Sequence, residues 1–374
     1  MEHVLVTGGA GFVGSHIVDE LIQHGYEVTI LDNLDEQIHD NTPSYLNDDA
    51  EYVWGDIRDR ELMTNLLESA DAVSHQASKV GVGQSMYEIE EYVDVNTLGT
   101  ARMLDIIVSN DINLDRFVIA SSMSAYGEGE YYCGSCEEYR TPPLRDVEQL
   151  EGDEWEVYCE ACGGRLDPVP TTESNSLDSD SVYAITKKSQ EEMCLSIGRA
   201  HDLPVVALRY FNIYGSRQAL DNPYTGVCAI FSSRIKNDRQ PLIFEDGKQT
   251  RDFIHVSDVA RANRLALEKS AAVGEPINIG TGDSISIIEL AEELIRRYGK
   301  EDDLSPDVTN KFRSGDIRHC YADTSRAEEL LGFEANVSLK NGLEELVSWG
   351  LDSDATDNTE KAYFEMEEKG LIRD

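Results

Sequence analysis

The chain has 374 residues, of which 40% are hydrophobic and 28% charged, so it can bury a large core and is not a wholly disordered protein. Its 72 acidic and 32 basic residues give a net charge of −40, which argues against a general nucleic-acid or anionic-membrane binder because both surfaces would repel it. The acid is spread along the whole chain, and only 11 basic residues are lysine. This pattern favours a halophilic protein over an acidic protein of a low-salt cell, since high ionic strength screens self-repulsion.

The N-terminus passes directly into a strand pattern, without the basic and apolar regions of a signal peptide. No stretch approaches the ~20 apolar residues of a membrane span. We therefore expect a cytoplasmic protein that does not bind membranes.

Short apolar strands alternate with helical patterns through the first 120 residues. Strands are predicted at 3–7, 28–32, 52–54, 72–75 and 116–120, with helices between them, notably at 59–68 and 88–109. This alternation predicts an α/β protein with a doubly wound parallel sheet, the Rossmann fold.

The alternation stops after Gly127. Residues 128–172 are rich in Glu, Gly, Pro and Cys and lack a clear period, which indicates an insertion. The pattern resumes with a helix at 181–202 and a strand at 205–209.

The chain is predicted to divide in two. Residues 1–207 form the Rossmann domain, which carries the insertion, and residues 208–374 form a smaller α/β C-terminal substrate lobe. Helices are expected near 286–298 and 324–331, and the tail at 352–374 is expected to dock as a helix.

Three glycines with the spacing GxxGxxG stand between the first strand and a helix. Gly8 permits a tight turn, Gly11 lets the backbone approach a pyrophosphate, and Gly14 allows the helix to pack closely on the strand. The helix N-terminus adds N–H groups and a positive dipole. Asp32 ends the second strand, where it would bind the adenosine ribose and repel a 2′-phosphate. These residues predict that residues 1–207 bind NAD rather than NADP.

Two further motifs accompany this loop. Tyr183 and Lys187 form a YxxxK at the start of a helix, and the fifth strand ends in Ser122. Together with GxxGxxG they resemble the extended short-chain dehydrogenase/reductase superfamily. More narrowly, the chain is similar to the nucleotide-sugar 4-epimerases of the UDP-glucose 4-epimerase type, within the NAD-dependent epimerase/dehydratase family. Outside the insertion, the resemblance runs from residue 4 to about 345.

The resemblance implies residues for cofactor and substrate. The implied NAD contacts are Gly8, Gly11, Phe12, Val13, Gly14, Asp32, Asn33, Asp56, Ile57, Ala77, Asn96, Tyr183, Lys187 and Tyr210. The implied nucleotide-diphosphate sugar contacts are Ser122, Ser124, Asn212, Arg251, Arg313, Asp316 and Cys320. Arg313 and Asp316 fall in the family's RxGD motif, here with Ser314, and arginine suits a diphosphate because its guanidinium meets phosphate oxygens bidentately. Family members are usually dimers, so a homodimer is also implied.

The catalytic residues implied by the family are Ser122, Tyr183 and Lys187. Tyr183 and Lys187 lie four residues apart and hence on one helix face. The ammonium and the nicotinamide charge are expected to lower the pKa of Tyr183, which would take the proton of the sugar 4-hydroxyl. Ser122 would hydrogen-bond that hydroxyl, and Lys187 would bind the nicotinamide ribose. In the implied cycle hydride leaves C4 for NAD, the 4-keto sugar rotates, and hydride returns to the opposite face.

The two residues after Ser122 reduce the number of reactions that the resemblance allows. Related 4,6-dehydratases carry an Asp-Glu pair there, and related decarboxylases carry Glu at the second position. Here the residues are Met123 and Ser124, and neither can replace a carboxylate as general base. An epimerase is therefore predicted. The alternatives are a nucleotide-sugar dehydrogenase or reductase that releases NADH, and a non-catalytic sugar-nucleotide-binding scaffold.

The sugar is left open by the sequence. The resemblance places Cys320 in the sugar pocket, where a small residue leaves room for a 2-acetamido group. UDP-glucose/UDP-galactose and UDP-N-acetylhexosamine substrates are therefore both expected. Segments 126–129 and 221–227 resemble the dTDP-L-rhamnose 4-epimerase branch, which also carries a Cys-containing insertion. Lys79 is given no role.

Four cysteines of the insertion form two CxxC pairs, Cys133 with Cys136 and Cys159 with Cys162. Two thiolates on each of two tight turns resemble a zinc ribbon, and four cysteines without histidine favour a closed structural zinc site. A redox switch or a pair of disulfides is the alternative, disfavoured in a protein without a signal peptide. Cys194 and Cys228 are expected to be buried core thiols.

Overall fold

The computed structural model describes residues 1–39, 41–313, 315–353 and 355–373. Ser314 of the predicted RxGD motif lies outside the described residues. No helix in these ranges is long and apolar enough to cross a membrane.

The first third of the chain alternates strands and helices as predicted. Its elements are β1 (His3–Thr7), α1 (Phe12–Gln23), β2 (Glu27–Asp32), β3 (Glu51–Trp54), α2 (Arg60–Ser69), β4 (Ala72–His75), α3 (Val82–Ser85), α4 (Ile89–Tyr92), α5 (Gly99–Ser109) and β5 (Arg116–Ser122). A π-helical turn (Val93–Leu98) joins α4 to α5, so the helix predicted over 88–109 is one helical stretch. A 3-10 turn (Met123–Tyr126) follows β5.

The predicted insertion folds as a small unit with its own sheet. Its elements are β6 (Glu130–Cys133), β7 (Glu138–Arg140), α6 (Val147–Leu150) and β8 (Asp167–Val169). The strands pair antiparallel in the order β7-β6-β8.

The remaining chain begins with the predicted long helix and strand and continues with shorter elements. These are α7 (Val182–His201), β9 (Val205–Tyr210), β10 (Asn212–Tyr214), α8 (Val227–Lys236), β11 (Leu242–Ile243), β12 (Thr250–Arg251), β13 (Phe253–His255), α9 (Val256–Glu268), β14 (Pro276–Ile279), β15 (Ile285–Ser286), α10 (Ile287–Arg297), β16 (Asp307–Val308), β17 (Phe312–Arg313), β18 (His319–Cys320), α11 (Ser325–Leu331), α12 (Leu339–Asp352), α13 (Thr359–Glu368) and β19 (Ile372–Arg373).

A seven-stranded parallel sheet, in the order β14-β9-β5-β4-β1-β2-β3, organises the molecule. Side chains alternate between its two faces: Val4 and Val6 of β1 pack into one layer, and Leu5 packs into the other. Helices α1 and α9 cover the first face, and α2, α5 and α7 cover the second. The predicted α/β class with a large parallel Rossmann-like sheet is confirmed.

The sheet takes its last strand from beyond residue 207. β14 pairs with β9, although its residues lie in the range predicted for the C-terminal lobe. Helices α9 and α11 of that range also pack against the sheet, while α8, α10 and α12 surround a separate core in which Phe231, Leu290 and Leu346 are buried together.

The C-terminal helices follow the prediction. The patterns near 286–298 and 324–331 correspond to α10 and α11. The tail also contains a helix, α13, which is docked by the buried side chains of Ala362 and Met366.

Candidate active site

A cleft of about 480 Å³ opens at the carboxyl edge of the sheet. This edge is where parallel α/β sheets bind ligands, because strand order reverses there and the loops diverge. Most of the predicted site residues line it, namely Gly8, Gly11, Phe12, Val13, Gly14, Asp32, Asn33, Asp56, Ile57, Ala77, Ser122, Ser124, Tyr183, Lys187, Tyr210 and Asn212.

The glycine loop connects β1 to α1 at the floor of the cleft. Gly8 has a φ of +69°, and a Cβ there would lie 2.8 Å from the Ala77 nitrogen. A Cβ on Gly14 would overlap the Gly8 carbonyl oxygen. The N-cap of α1 is Gly11, which offers no side chain to the first N–H groups of the helix. These donors and the helix dipole face the cleft and fit a pyrophosphate.

Asp32 stands at the end of β2 with its carboxylate nearly buried. Oδ2 accepts the Ala10 N–H at 3.0 Å, and Oδ1 accepts the Leu34 N–H at 2.9 Å. These bonds fix the carboxylate against the glycine loop. A carboxylate in this place fits ribose hydroxyls and repels an added phosphate.

Two more predicted NAD contacts, Asp56 and Ile57, follow the end of β3. Asp56 follows β3 and accepts hydrogen bonds from Arg58, and its amide neighbour Asn33 donates to it at 3.4 Å. Burial would raise the pKa of Asp56, but these bonds and the Arg58 charge lower it below its usual value. Asp56 is thus an ionised wall of the cleft.

Asn96 lies behind the described lining of the cleft, and its contact with the cofactor stays a prediction. Its side chain is fully buried and does not belong to the described lining of the cleft. The amide accepts the Lys79 N–H at 2.8 Å and donates to the Lys79 carbonyl at 3.0 Å. Asn96 therefore fixes the main chain of the Ser78–Lys79 turn, which does line the cleft, while the Lys79 ammonium pairs with Asp35 at 2.8 Å.

The predicted catalytic residues come together from two elements. Ser122 ends β5, while Tyr183 and Lys187 lie in the first turns of α7, which is capped by the Ser181 side chain. The Ser124 hydroxyl donates to Ser122 Oγ at 2.9 Å, which leaves the Ser122 hydrogen for another acceptor. The Lys187 ammonium donates to the Ala120 carbonyl at 2.9 Å.

The pKa of Tyr183 is raised to about 12, mainly because the phenol is desolvated, although the Ser122 hydroxyl acts in the opposite direction. The lowered pKa expected from the sequence is not found, because burial of the phenol outweighs its contact with the Ser122 hydroxyl. The pKa of Lys187 is lowered to about 7 by the same desolvation.

The far wall of the cleft is lined by Tyr210, the last residue of β9, and Asn212, the first residue of β10. The Tyr210 hydroxyl donates to Gln76 at 3.2 Å and accepts from Asn263 at 2.8 Å. The Asn212 side-chain oxygen is buried and has no hydrogen-bond partner within the described part of the chain. A ligand that donates a hydrogen bond would satisfy it.

Four predicted substrate residues lie outside the described lining of the cleft: Arg251, Arg313, Asp316 and Cys320. Arg313 Nε donates to Asp316 at 2.8 Å, and its guanidinium lies 4.9 Å from the centre of the Phe244 ring. Cys320 is buried against Met123 and Phe211, one layer behind the cleft wall. Arg251 bonds to main-chain carbonyls. In this structure these side chains are therefore held by the protein itself.

Several polar residues line the cleft but are not among the contacts predicted from the sequence, for example Gln76, Gln218 and Asn222. Gln76 directly follows β4, so the end of that strand was a usable signal. Gln218 and Asn222 come from an irregular segment after β10, for which no spacing rule predicts proximity.

The four cysteines of the insertion meet in one cluster. Their sulfurs all lie within 4.8 Å of one another, with Cys133–Cys162 at 3.5 Å and Cys136–Cys159 at 3.9 Å. A tetrahedral zinc with bonds of about 2.3 Å places sulfurs about 3.8 Å apart, so the cluster fits that ion. None of the four forms a disulfide, and main-chain N–H groups of Cys162 and Ala161 lower the pKa of the Cys159 thiol to about 6. Outside the cluster, Cys194 and Cys228 are buried as predicted.

The chain matches the model of the NAD dependent epimerase/dehydratase family over residues 4–148 and 159–280. It is 34% identical over 354 residues to the dTDP-L-rhamnose 4-epimerase of Burkholderia thailandensis, with 92% of this chain and 94% of the relative covered. The structure of UDP-glucose 4-epimerase from Thermotoga maritima with UDP-glucose is similar, with a TM-score of 0.75, 31% identity, and 93% of this chain and 98% of that chain covered. For the Thermus thermophilus UDP-glucose 4-epimerase complex with NAD the TM-score is 0.73 and the identity 26%, with 94% of this chain and 100% of that chain covered.

Proposed function

Because this chain belongs to the NAD-dependent epimerase/dehydratase family, we propose that it is an NAD-dependent nucleotide-sugar 4-epimerase. The observation that carries the proposal is the meeting of Ser122, Tyr183 and Lys187 at the carboxyl edge of the sheet, beside the glycine loop. Met123 and Ser124 follow Ser122 without a carboxylate, which supports epimerisation over dehydration or decarboxylation.

The chemistry divides between cofactor and protein. Bound in the cleft, NAD supplies a hydride acceptor for C4 of the sugar and then the hydride donor. Tyr183 takes the proton of the 4-hydroxyl and later returns it. Ser122 donates a hydrogen bond to the sugar oxygen, and Ser124 keeps the Ser122 lone pairs engaged so that this donation is favoured. Lys187 binds the nicotinamide ribose.

The nucleotide-diphosphate sugar is held, in this proposal, by Asn212, Arg251, Arg313 and Asp316. The unpartnered oxygen of Asn212 supports its part. Arg251 and Arg313 supply guanidinium groups suited to a diphosphate. The proposed sugar stays open among UDP-glucose/UDP-galactose, UDP-N-acetylhexosamine and dTDP-L-rhamnose types. Cys320 lies behind the described lining of the cleft, so its small size does not select among them.

For the insertion we propose one structural zinc ion bound by Cys133, Cys136, Cys159 and Cys162. The fit of the sulfur distances to a tetrahedral site supports it. The zinc would cross-link the two turns of a unit too small to hold a large core of its own.

A homodimer is proposed through the helical stretch from α4 to α5 together with α7. Ile89, Val93 and Leu98 on the first and Ile185 on the second are exposed although apolar. These helices pack side by side, so their outer apolar side chains can meet a second copy related by twofold symmetry.

The test is Tyr183→Phe, which removes only the hydroxyl that moves the proton. We expect turnover to fall by about 10³-fold or more, while bound NAD and melting temperature stay at the wild-type values. Tyr139→Phe, at an exposed tyrosine of the insertion, is the matched control. Full activity of Tyr183→Phe would refute the assignment.

A further inference from the structure

The guanidinium of Arg251 is oriented by main-chain carbonyls. Its Nη1 donates to the carbonyls of Thr250 at 2.8 Å and Arg318 at 3.0 Å, and its Nη2 donates to the carbonyl of Ile317 at 2.7 Å. Two of these three acceptors lie in residues 316–320, which we call the anchor segment. The direction in which Arg251 presents its remaining N–H groups therefore depends on where the anchor segment lies.

The insertion fixes the main chain of the anchor segment. The Glu128 carboxylate accepts the Arg318 N–H with both oxygens, at 2.8 and 2.9 Å. The Tyr131 hydroxyl accepts the His319 N–H at 3.2 Å and donates to Glu128 at 2.9 Å. The Gly129 N–H donates to the His319 carbonyl at 3.2 Å. Both Glu128 and Tyr131 are buried, so water cannot easily take over these bonds.

The Arg318 side chain joins the insertion to the C-terminal part of the chain. It is fully buried and donates to Asp246 at 2.7 and 3.1 Å, to Glu245 at 3.0 Å, and to Glu156 at 2.9 Å. Glu156 lies in the insertion, three residues before the second cysteine pair. Loss of one partner of such a buried group leaves the others uncompensated, so the contacts act as a unit.

Arg145 also joins the insertion to the C-terminal part of the chain through a buried ion pair. This residue of the insertion is buried and binds Glu245 through both terminal nitrogens, at 2.9 and 3.0 Å. Its Nη2 also donates to the carbonyl of Asp316, the first residue of the anchor segment, at 2.9 Å. The insertion thus bonds the main chain of three of the five residues of the anchor segment.

We propose that Glu128 and Arg318 are positioning residues for nucleotide-sugar binding, through which the cysteine-rich insertion holds Arg251 in its binding orientation. The inference rests on the proposed function, which assigns Arg251 to the diphosphate of the substrate. The insertion is then a working part of the substrate site. Many of the predicted NAD contacts lie in the glycine loop and at the ends of β2 and β3, and those residues have no hydrogen bond to the anchor segment in the described part of the chain, so NAD binding is expected not to depend on it.

The test variant is Glu128→Gln, which keeps the shape of the side chain but has only one oxygen that can accept a hydrogen bond. The matched control is Glu130→Gln, at the first residue of β6, whose carboxylate accepts a hydrogen bond from the Asn175 amide at 2.8 Å and does not contact the anchor segment. Arg251→Leu is the reference for loss of the diphosphate contact. The affinities for UDP and for dTDP are measured by titration calorimetry on the holoenzyme, together with bound NAD, melting temperature, KM and kcat.

We expect Glu128→Gln to raise the Kd of the bound nucleotide and the KM about tenfold, since a buried hydrogen bond to a charged group is lost. The kcat should change less than about twofold, and bound NAD should not change. Glu130→Gln should behave as the wild type, and Arg251→Leu should lose at least as much nucleotide affinity as Glu128→Gln.

Wild-type nucleotide affinity in Glu128→Gln, with a loss in Arg251→Leu, overturns the inference and leaves the proposed function intact. Unchanged affinity in Arg251→Leu overturns the assignment of Arg251 in the proposed function, and the inference with it. If Glu128→Gln does not fold, Tyr131→Phe removes one hydroxyl of the same contact and should raise the Kd about threefold. An unchanged Kd in that variant overturns the inference.

Discussion

Desolvation acts on both members of the YxxxK pair. It raises the pKa of Tyr183 to about 12 and lowers the pKa of Lys187 to about 7, because burial disfavours the charged form of each side chain. The same burial lowers the pKa of His75, which lies behind the cleft between Thr7 and Thr100, to about 3. The three shifted pKa values therefore have one shared cause, the loss of hydration on burial.

The lowered pKa of Lys187 predicts a pH-dependent stability. Below pH 7 both folded and unfolded states hold the proton, and the full cost of burying the ammonium is present. Between about pH 7 and 10.5 only the unfolded state holds it, so the cost falls as pH rises, by at most about 1.4 kcal/mol per pH unit.

The measurement is urea unfolding of the NAD-free protein and of its Lys187→Met variant at several pH values. The variant should be the more stable at pH 6, and its advantage should shrink toward pH 10. Lys340→Met, at an exposed lysine, is the control. An advantage of Lys187→Met that is constant between pH 6 and pH 10 would contradict the assigned pKa.

At the scale of elements, the proposed zinc site of the insertion can be tested directly by measuring the bound metal. We expect purified wild-type protein, prepared without added metal, to hold one zinc ion per chain by elemental analysis. Cys162→Ser removes the exposed ligand and should lower the zinc content and the melting temperature together. Cys228→Ser, at a buried cysteine outside the cluster, should keep its zinc. A zinc-free wild type with a folded insertion would rule out the site.

The helical stretch from α4 to α5 and helix α7 predict the oligomeric state. Ile185→Glu places a charge in the proposed interface, so light scattering after size exclusion should give the mass of one chain where the wild type gives two. Val273→Glu changes another exposed apolar residue outside these helices and should remain dimeric. A monomeric wild type would disprove the interface.

The sequence predicted the regular elements better than their assembly. β1 to β5 and α7 follow from apolar runs and helical periods, and the comparisons confirm the family that GxxGxxG and YxxxK indicate. The contribution of β14 to the large sheet is not predicted, since a strand of only four residues does not specify its neighbouring strand. The small sheet of the insertion is not predicted, because strands of three or four residues are too short to show a period.

In the candidate site, too, local features are predicted from the sequence, whereas contacts between distant residues are not. The glycine loop, Asp32, Ser122 and Tyr183 lie where strand ends and helix starts place them. The role of Asn96 as a main-chain support could not be inferred from its motif, because the sequence does not tell whether an amide faces a ligand or a turn. The buried bonds from Glu128 to the anchor segment join residues 190 positions apart, beyond any local pattern.

At the scale of the whole molecule, a net charge of −40 is expected to make the stability depend on salt. We propose that the protein is halophilic and predict that its melting temperature rises steeply as KCl is increased from about 0.1 M to about 2 M, since the screening length falls from about 10 Å to below 3 Å. Sucrose of equal osmolality serves as the control, because it does not screen charge. An equal melting temperature at both salt concentrations would contradict the proposal.

The most direct test of the account uses purified protein in high salt, incubated with UDP- and dTDP-hexoses, including UDP-N-acetylhexosamines, and no added cofactor. The products are resolved by chromatography while absorbance at 340 nm reports NADH. The account predicts that one pair of C4 epimers interconverts without net NADH, because bound NAD is regenerated in each cycle. Binding of the nucleotide sugars without interconversion by NAD-loaded protein, or a stoichiometric release of NADH, would contradict it.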